Sequence, residues 1–289
     1  MTNDEFLESV TCGMKVILSR KGFDSSFGGY PSIILPNGRY VSFSIPGDED
    51  ELRYKDVRTA EGYPMDELMK QLFSRVYYYE WKEFHGSTNC HQDPDLVYEA
   101  LPRMDGWKGC FGQADAAQTV LENQNVKKDD LFLFFGWFKH CDMEKGCHRY
   151  AGNEDIQCIY GYLQIEEIIH THQREELPPW LEYHPHALKR RLQRKSNCIY
   201  VARETLSWDS SRKGYGLLRY NDLTRLTKPG YTRSRWQLPE TLRNTNITYH
   251  SANSWKDNYF QSACRGQEFV FDETGEAEEW ARNIICSGI

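Results

Sequence analysis

The sequence predicts an α+β fold, a mixed, mostly antiparallel sheet or distorted barrel with surrounding helices. Three observations carry that expectation. Leu131–Phe138 is apolar at almost every position, so it reads as a strand covered on both faces at the centre of a sheet. Asn37-Gly38 stands between two apolar runs, the pattern of a tight hairpin. Helical spacing of apolar residues is confined to a few separated segments.

In chain order, residues 1–13 read as a flexible polar leader and residues 14–289 as a single domain, with a sub-boundary near residue 178 at Pro178-Pro179-Trp180. Met14–Leu18 predicts a buried strand. A polar loop follows, then a strand Ser32–Leu35, the Asn37-Gly38 turn and a strand Tyr40–Ile45. Gly47-Asp48-Glu49-Asp50-Glu51 reads as an acidic surface loop. Pro64 opens a helix through Val76, with Met65, Leu68, Met69, Leu72, Phe73 and Val76 on one face. Asp93-Pro94-Asp95 reads as the start of a short helix to Leu101, with Asp93 as its cap. Gln113–Asn123 predicts a further helix, and Val126–Asp130 turns into the central strand. A hairpin excursion, Lys139–Asp155, leads to a strand Gln157–Leu163 and on through Gln164–His170. Leu181–Arg194 is basic toward its end, Cys198–Ala202 is a strand, and residues 205–250 are polar and rich in Arg. Phe269–Phe271 and a helix Gly275–Cys286 close the chain.

Bulk properties narrow the class. A chain of 289 residues can bury a large core. The nine cysteines are odd in number and scattered, which suits free thiols in a reducing, cytoplasmic setting. No apolar run approaches bilayer length and Met1-Thr2-Asn3-Asp4-Glu5 lacks a basic n-region, so no membrane association is expected. No obligate protein partner is implied. The net charge of −7 does not advertise nucleic-acid binding, although a local basic stripe can sit on an acidic protein. The chain has no Cys-x-x-Cys, P-loop or Gly-x-Gly-x-x-Gly motif, which argues against kinase, zinc-deaminase and NAD chemistry. No cofactor is signalled. His184-Pro185-His186 could hold a metal if it lay on a strand, but no second ligand pair stands at a suitable spacing, so no metal is expected. His140-Cys141…Cys147-His148 is irregularly spaced and reads as part of the hairpin excursion.

The chemistry concentrates in four places. In the loop after the first strand, Arg20 and Lys21 suit phosphate, the glycines admit close backbone approach, and Asp24 is the lone carboxylate beside Ser25 and Ser26. Such a segment also serves as an ordinary polar strand-to-hairpin loop. At His91-Gln92-Asp93-Pro94-Asp95, capping accounts for Asp93 but does not require His91. The run Lys189, Arg190, Arg191, Arg194 and Lys195 is either a solvated face or an edge that contacts phosphates. Arg233-Ser234-Arg235-Trp236 sets two cations beside an aromatic ring, which suits a nucleic-acid backbone and a stacked base.

Long ungapped stretches of the chain resemble the third nucleotide modification associated domain family. They are Ser19-Arg20-Lys21-Gly22-Phe23-Asp24-Ser25, Gly28-Gly29, Pro31-Ser32, Leu35–Arg39, His91–Leu96, Phe111-Gly112-Gln113, Asp130–Phe138 and His184-Pro185-His186, and the resemblance spans roughly Met14 to Asp272. It implies a place among phage and bacterial proteins that make or attack modified DNA bases, and so DNA with modified bases as partner. The expected function is a DNA glycosylase that cleaves the N-glycosidic bond of a hypermodified pyrimidine, in a setting of anti-phage defence. That bond breaks through an oxocarbenium-like state which a nearby carboxylate stabilises. The expected catalytic residues are Asp24, with Asp93 and Asp95 in support. Arg20, Lys21, Ser25, His91, Gln113, His184 and His186 are expected to bind substrate. Lys189, Arg190, Arg191, Arg194, Arg233 and Arg235 are expected along the DNA backbone. The rival expectations are a transferase that builds a hypermodified base and a non-catalytic reader of modified DNA. The reader follows from the segment Val126–Leu163, which resembles the barrel of the PUA-like and ASCH-like group.

Overall fold

The computed structural model describes residues 13–288, so all of the leader except Gly13 lies outside the described residues. Ten strands form the main sheet. In chain order they are β1 (Val16–Arg20), β2 (Ser32–Ile34), β3 (Tyr40–Val41), β4 (Cys110–Gln113), β5 (Leu131–Glu144), β6 (Cys147–Tyr150), β7 (Ile156–His170), β8 (Cys198–Ala202), β9 (Tyr215–Leu217) and β10 (Glu268–Val270). Their main path is β10-β1-β5-β7-β8-β4, with β2 and β6 added on β5, β3 on β2, and β9 on β7.

Leu131 to Phe135 are fully buried, as expected of a strand with no solvent face. This β5 run pairs parallel with β1, Val16 opposite Leu131, and antiparallel with β7, Leu131 opposite Gln164. It also pairs parallel with β2, Phe138 opposite Ser32. Every other pairing in the sheet is antiparallel. The sheet curls until its edge strands approach: Gln113 Nε2 on β4 donates to Glu268 Oε1 on β10 at 2.5 Å. No backbone ladder joins these two edges, so the barrel stays open. The α+β expectation of a mixed, mostly antiparallel sheet or distorted barrel holds.

Helices cover the sheet: α1 (Met65–Leu72), α2 (Asp115–Asn123), the one-turn α3 (Lys189–Leu192) and α4 (Gly275–Ser287). A second apolar cluster gathers Phe23, Phe43, Tyr54, Met69, Phe73 and Phe84 around α1, beside the main core. No described helix is long and apolar enough to cross a membrane.

Several elements differ from expectation. The helix from Pro64 ends at Leu72, and Val76 lies in a strand, Arg75–Tyr78, because Val76-Tyr77-Tyr78 suits a pleated surface better than a helix. No helix starts at Asp93. A residue before proline is pushed out of the helical region, and Asp95 exchanges both backbone hydrogen bonds with Cys110, leaving only a 3-10 turn at Tyr98–Ala100. Gln113 belongs to strand β4, and the helix after it begins at Asp115. The strand expected at Gln157–Leu163 runs on unbroken to His170, while Tyr40–Ile45 splits at Val41. His184-Pro185-His186 lies at a 3-10 turn, not on a strand.

Candidate functional site

Two adjacent clefts open where β1 ends. One, of about 640 Å³, is lined by Arg20, Lys21, Asp24, His91, Asp93, Gly112, Gln113, His186, Arg191 and Arg194. The other, of about 390 Å³, is lined by Arg20, Lys21, Asp24, Ser25, Trp137 and Arg233. Arg20, Lys21 and Asp24 line both.

The loop from Arg20 to Ser26 is pinned by its own side chains. Asp24 Oδ1 accepts from the backbone N–H groups of Ser26 at 2.6 Å and Phe27 at 2.8 Å, and its other oxygen makes no hydrogen bond among the described residues. Gly28 sits at φ +86°, and a Cβ there would lie 2.1 Å from the Phe23 ring, so only glycine fits. The Arg20 guanidinium donates to the carbonyls of Ala263 and Cys264, at 2.9 and 3.1 Å, and lies against the Phe135 and Phe269 rings. Arg233 lies 3.9 Å from the centre of the Trp137 ring and donates to Ser25 Oγ at 3.2 Å. Both cations donate to neutral acceptors, while Asp24 acts on the charge of each and Asp155 on that of Arg233. Lys21 differs: it pairs with the buried Glu268 at 3.2 Å and lies over Phe111. Glu268 Oε1 also accepts from Ser19 and Gln113. Lys21 and Gln113 line the cleft, but their polar ends are engaged by the buried Glu268.

The second feature is a cluster of histidines around Asp93. Strand pairing of Ile45-Pro46 with Cys90-His91 positions His91. Asp93 Oδ1 accepts from Gly112 N–H at 2.9 Å and lies 3.4 Å from His184 Nε2. Asp93 Oδ2 lies 4.0 Å from both His91 Nε2 and His186 Nε2. His91 Nδ1 is 3.1 Å from Asp50 Oδ2, and His186 Nδ1 is 2.6 Å from Asn197 Oδ1. Burial alone would raise the Asp93 carboxyl, but His184, 3.4 Å away, and the neighbouring histidines hold it well below the usual carboxylate range. Burial pushes His186 down to about 3, so its ring is neutral. Gly112 makes room for this packing, because a Cβ there would lie 2.2 Å from the His186 ring. His91, Asp93 and His186 have donor atoms close enough to hold one metal ion.

The other expected residues take different places. Asp95 is buried against Arg103, which donates to its two oxygens at 2.7 and 2.6 Å, and Trp107 N–H adds a third contact. That pairing removes Asp95 from the candidate catalytic set. Arg191 is buried and donates to Asp50 at 2.6 Å and to the Pro185 carbonyl, so it is no backbone contact for DNA. Arg194 faces Glu49 at 3.5 Å on the cleft rim. Lys189, Arg190 and Lys195 are exposed, and no ion pair forms on them among the described residues. Arg235 is exposed and lies over Tyr259. Asp50 corrects the reading of residues 47–51 as surface: its side chain is buried between His91 and Arg191. Asp50, Asn197 and Glu268 had no motif or spacing to mark them. Their roles arise only when distant segments meet.

A curled α+β sheet with a polar, cation-flanked cleft at the end of its first strand defines the class. The chain belongs to the family of nucleotide modification associated domain 3, whose model matches residues 15–272. Membership associates it with the modification of nucleotides or DNA. No curated protein and no solved structure matches the chain.

Proposed function

We propose that this protein is an enzyme acting on modified bases in DNA, and that it cleaves the N-glycosidic bond of a modified pyrimidine in the adjacent clefts. One observation supports this reading above the rest. Asp24 is held through one oxygen by two backbone N–H groups, its second oxygen makes no hydrogen bond among the described residues, and it lies near two arginines whose own hydrogen bonds go to neutral acceptors. Phosphates flanking a flipped-out nucleotide suit Arg20 and Arg233. The second oxygen of Asp24 would then lie near the sugar. As the C1′–N bond breaks, its electron pair leaves with the base and positive charge grows on the sugar. A fixed carboxylate stabilises that charge without reorganising. Water adds to C1′ and gives up a proton, and the departing base gains one. The Trp137 face is covered by Arg233, which disfavours an aromatic cage of the kind a passive reader needs.

The test is incubation with DNA carrying plain, hydroxymethylated or glucosylated pyrimidines, followed by assays for free base and alkali-labile sites. Release from one modified DNA is expected. Asp24→Asn should lower it on the order of a hundredfold, equivalent to about 3 kcal/mol of transition-state stabilisation. Addition of a group to the base, or binding without release, would instead favour the transferase or the reader. Undiminished release by Asp24→Asn would remove Asp24 from the reacting centre.

A further inference from the structure

We propose that His91 Nε2, His186 Nε2 and Asp93 Oδ2 bind one divalent first-row transition-metal ion, Zn²⁺ or Fe²⁺, with the remaining coordination positions open to the cleft. This goes beyond the glycosidic reading and does not depend on it.

The argument begins with protons. Asp50 is a carboxylate, so the ring nitrogen of His91 that faces it, Nδ1, carries the hydrogen. The Asn197 amide nitrogen donates to Thr171 Oγ1 and to the His186 carbonyl, so its oxygen is the atom that faces His186 Nδ1. Nδ1 of His186 therefore carries the hydrogen too. Both Nε2 atoms then carry lone pairs, and both lie near the remaining oxygen of Asp93. At 4.0 Å neither nitrogen is within hydrogen-bond distance of that oxygen. Three acceptors converge with no donor between them. Such a set of acceptors attracts a cation, or the two hydrogens of a water, to its centre.

The spacing suits an ion. Ligands at about 2.1 Å around a tetrahedral centre stand roughly 3.4 Å apart, so the two 4.0 Å separations would have to close by roughly 0.6 Å, with all three donor atoms already within 4.8 Å of one another. Two imidazoles and one carboxylate favour a transition ion over Mg²⁺ or Ca²⁺, and three protein ligands leave room for water or substrate. Each ligating ring is held through its second nitrogen, by Asp50 or by Asn197, as metal-bound histidines commonly are. The buried His184 Nε2 has no full hydrogen bond and is aimed at Asp93 Oδ1, the oxygen that the ion would not use. Arg191 offsets the charge of Asp50, so the trio keeps the net negative charge of Asp93 for the cation.

The full chain, free of any histidine tag, would be stripped with EDTA and offered Zn²⁺, Fe²⁺ without oxygen, or Mg²⁺ and Ca²⁺ as controls. Ion content is then measured after desalting. Roughly one Zn²⁺ or Fe²⁺ per chain should remain, and neither control ion. His91→Ala should retain none; His91 is partly exposed, so thermal melting should confirm that this variant folds. Asp50→Asn should bind roughly 10–100-fold more weakly while keeping all three ligands. No retained Zn²⁺ or Fe²⁺, or equal retention by His91→Ala, would overturn the proposal. The measurement uses no DNA, so its failure leaves base release standing, and failed base release leaves the metal site standing.

Discussion

Asp93 and Asp95 stand two positions apart and meet opposite fates, which shows what one residue's sequence context can reveal. Both looked like helix-start carboxylates. The backbone exchange between Asp95 and Cys110 turns Asp95 toward Arg103 and Trp107, while Asp93 points at His184, His186 and His91. Nothing local distinguishes them, because the partners come from residues 103–107 in one case and from residues 184–186 in the other. The His-x-His pair was legible as chemistry but not as geometry. The two rings do not share a strand face, and His186 instead joins a histidine from a distant segment. At this scale Arg103→Ala should be a folding variant. It strands a buried carboxylate and should cost about 3–5 kcal/mol in urea denaturation, with activity per folded molecule preserved. Activity lost without loss of stability would return Asp95 to the reacting centre.

Elements were most legible where periodicity was strong. The β5 strand, the Asn37-Gly38 hairpin and the closing helix all form, because their apolar patterns match one secondary structure only. Boundaries failed where a turn or long-range pairing decides, as at Leu72 and Asp93. The turn before β5 shows how such a boundary is fixed. Asp130 is buried, and its two oxygens accept from the backbone N–H groups of Lys15, at the start of β1, and Lys127. Burial outweighs those bonds and pushes its carboxyl up to about 6. The ordinary value is 3.8, so the folded state holds this proton more tightly than the unfolded chain does. Ionised Asp130 therefore costs stability above pH 6. That cost is relieved as pH falls through 6 toward 4, on the order of 2–3 kcal/mol in all. Urea midpoints of the protein and of Asp130→Asn should diverge in favour of the protein as pH drops from about 7 to about 5. A gap that stays constant with pH would mean that the carboxyl is not raised.

At the scale of the whole molecule, the curl of the sheet was legible only as an alternative between sheet and barrel. What decides it is the contact of β4 with β10 through Gln113, Glu268 and Lys21, which local patterning does not encode. The two clefts share Arg20, Lys21 and Asp24, and each has a further arginine, Arg194 in one and Arg233 in the other. On a chain of net charge −7, a DNA path would have to follow such cations. The basic run divides by burial. Arg191 is committed to Asp50 and Arg194 faces Glu49, whereas Lys189, Arg190 and Lys195 are exposed. Arg190→Glu with Lys195→Glu should therefore weaken duplex binding. It should also lower the slope of log affinity against log salt by roughly 1.8, about 0.9 for each lost phosphate contact. The change should be equal for plain and modified DNA, because phosphate contacts carry no base identity. Arg191→Ala should act differently, by destabilising the fold and loosening Asp50 from beneath His91. An unchanged affinity and slope in the double variant would make Lys189–Lys195 a solvated face and confine the DNA path to Arg20, Arg233 and Arg235.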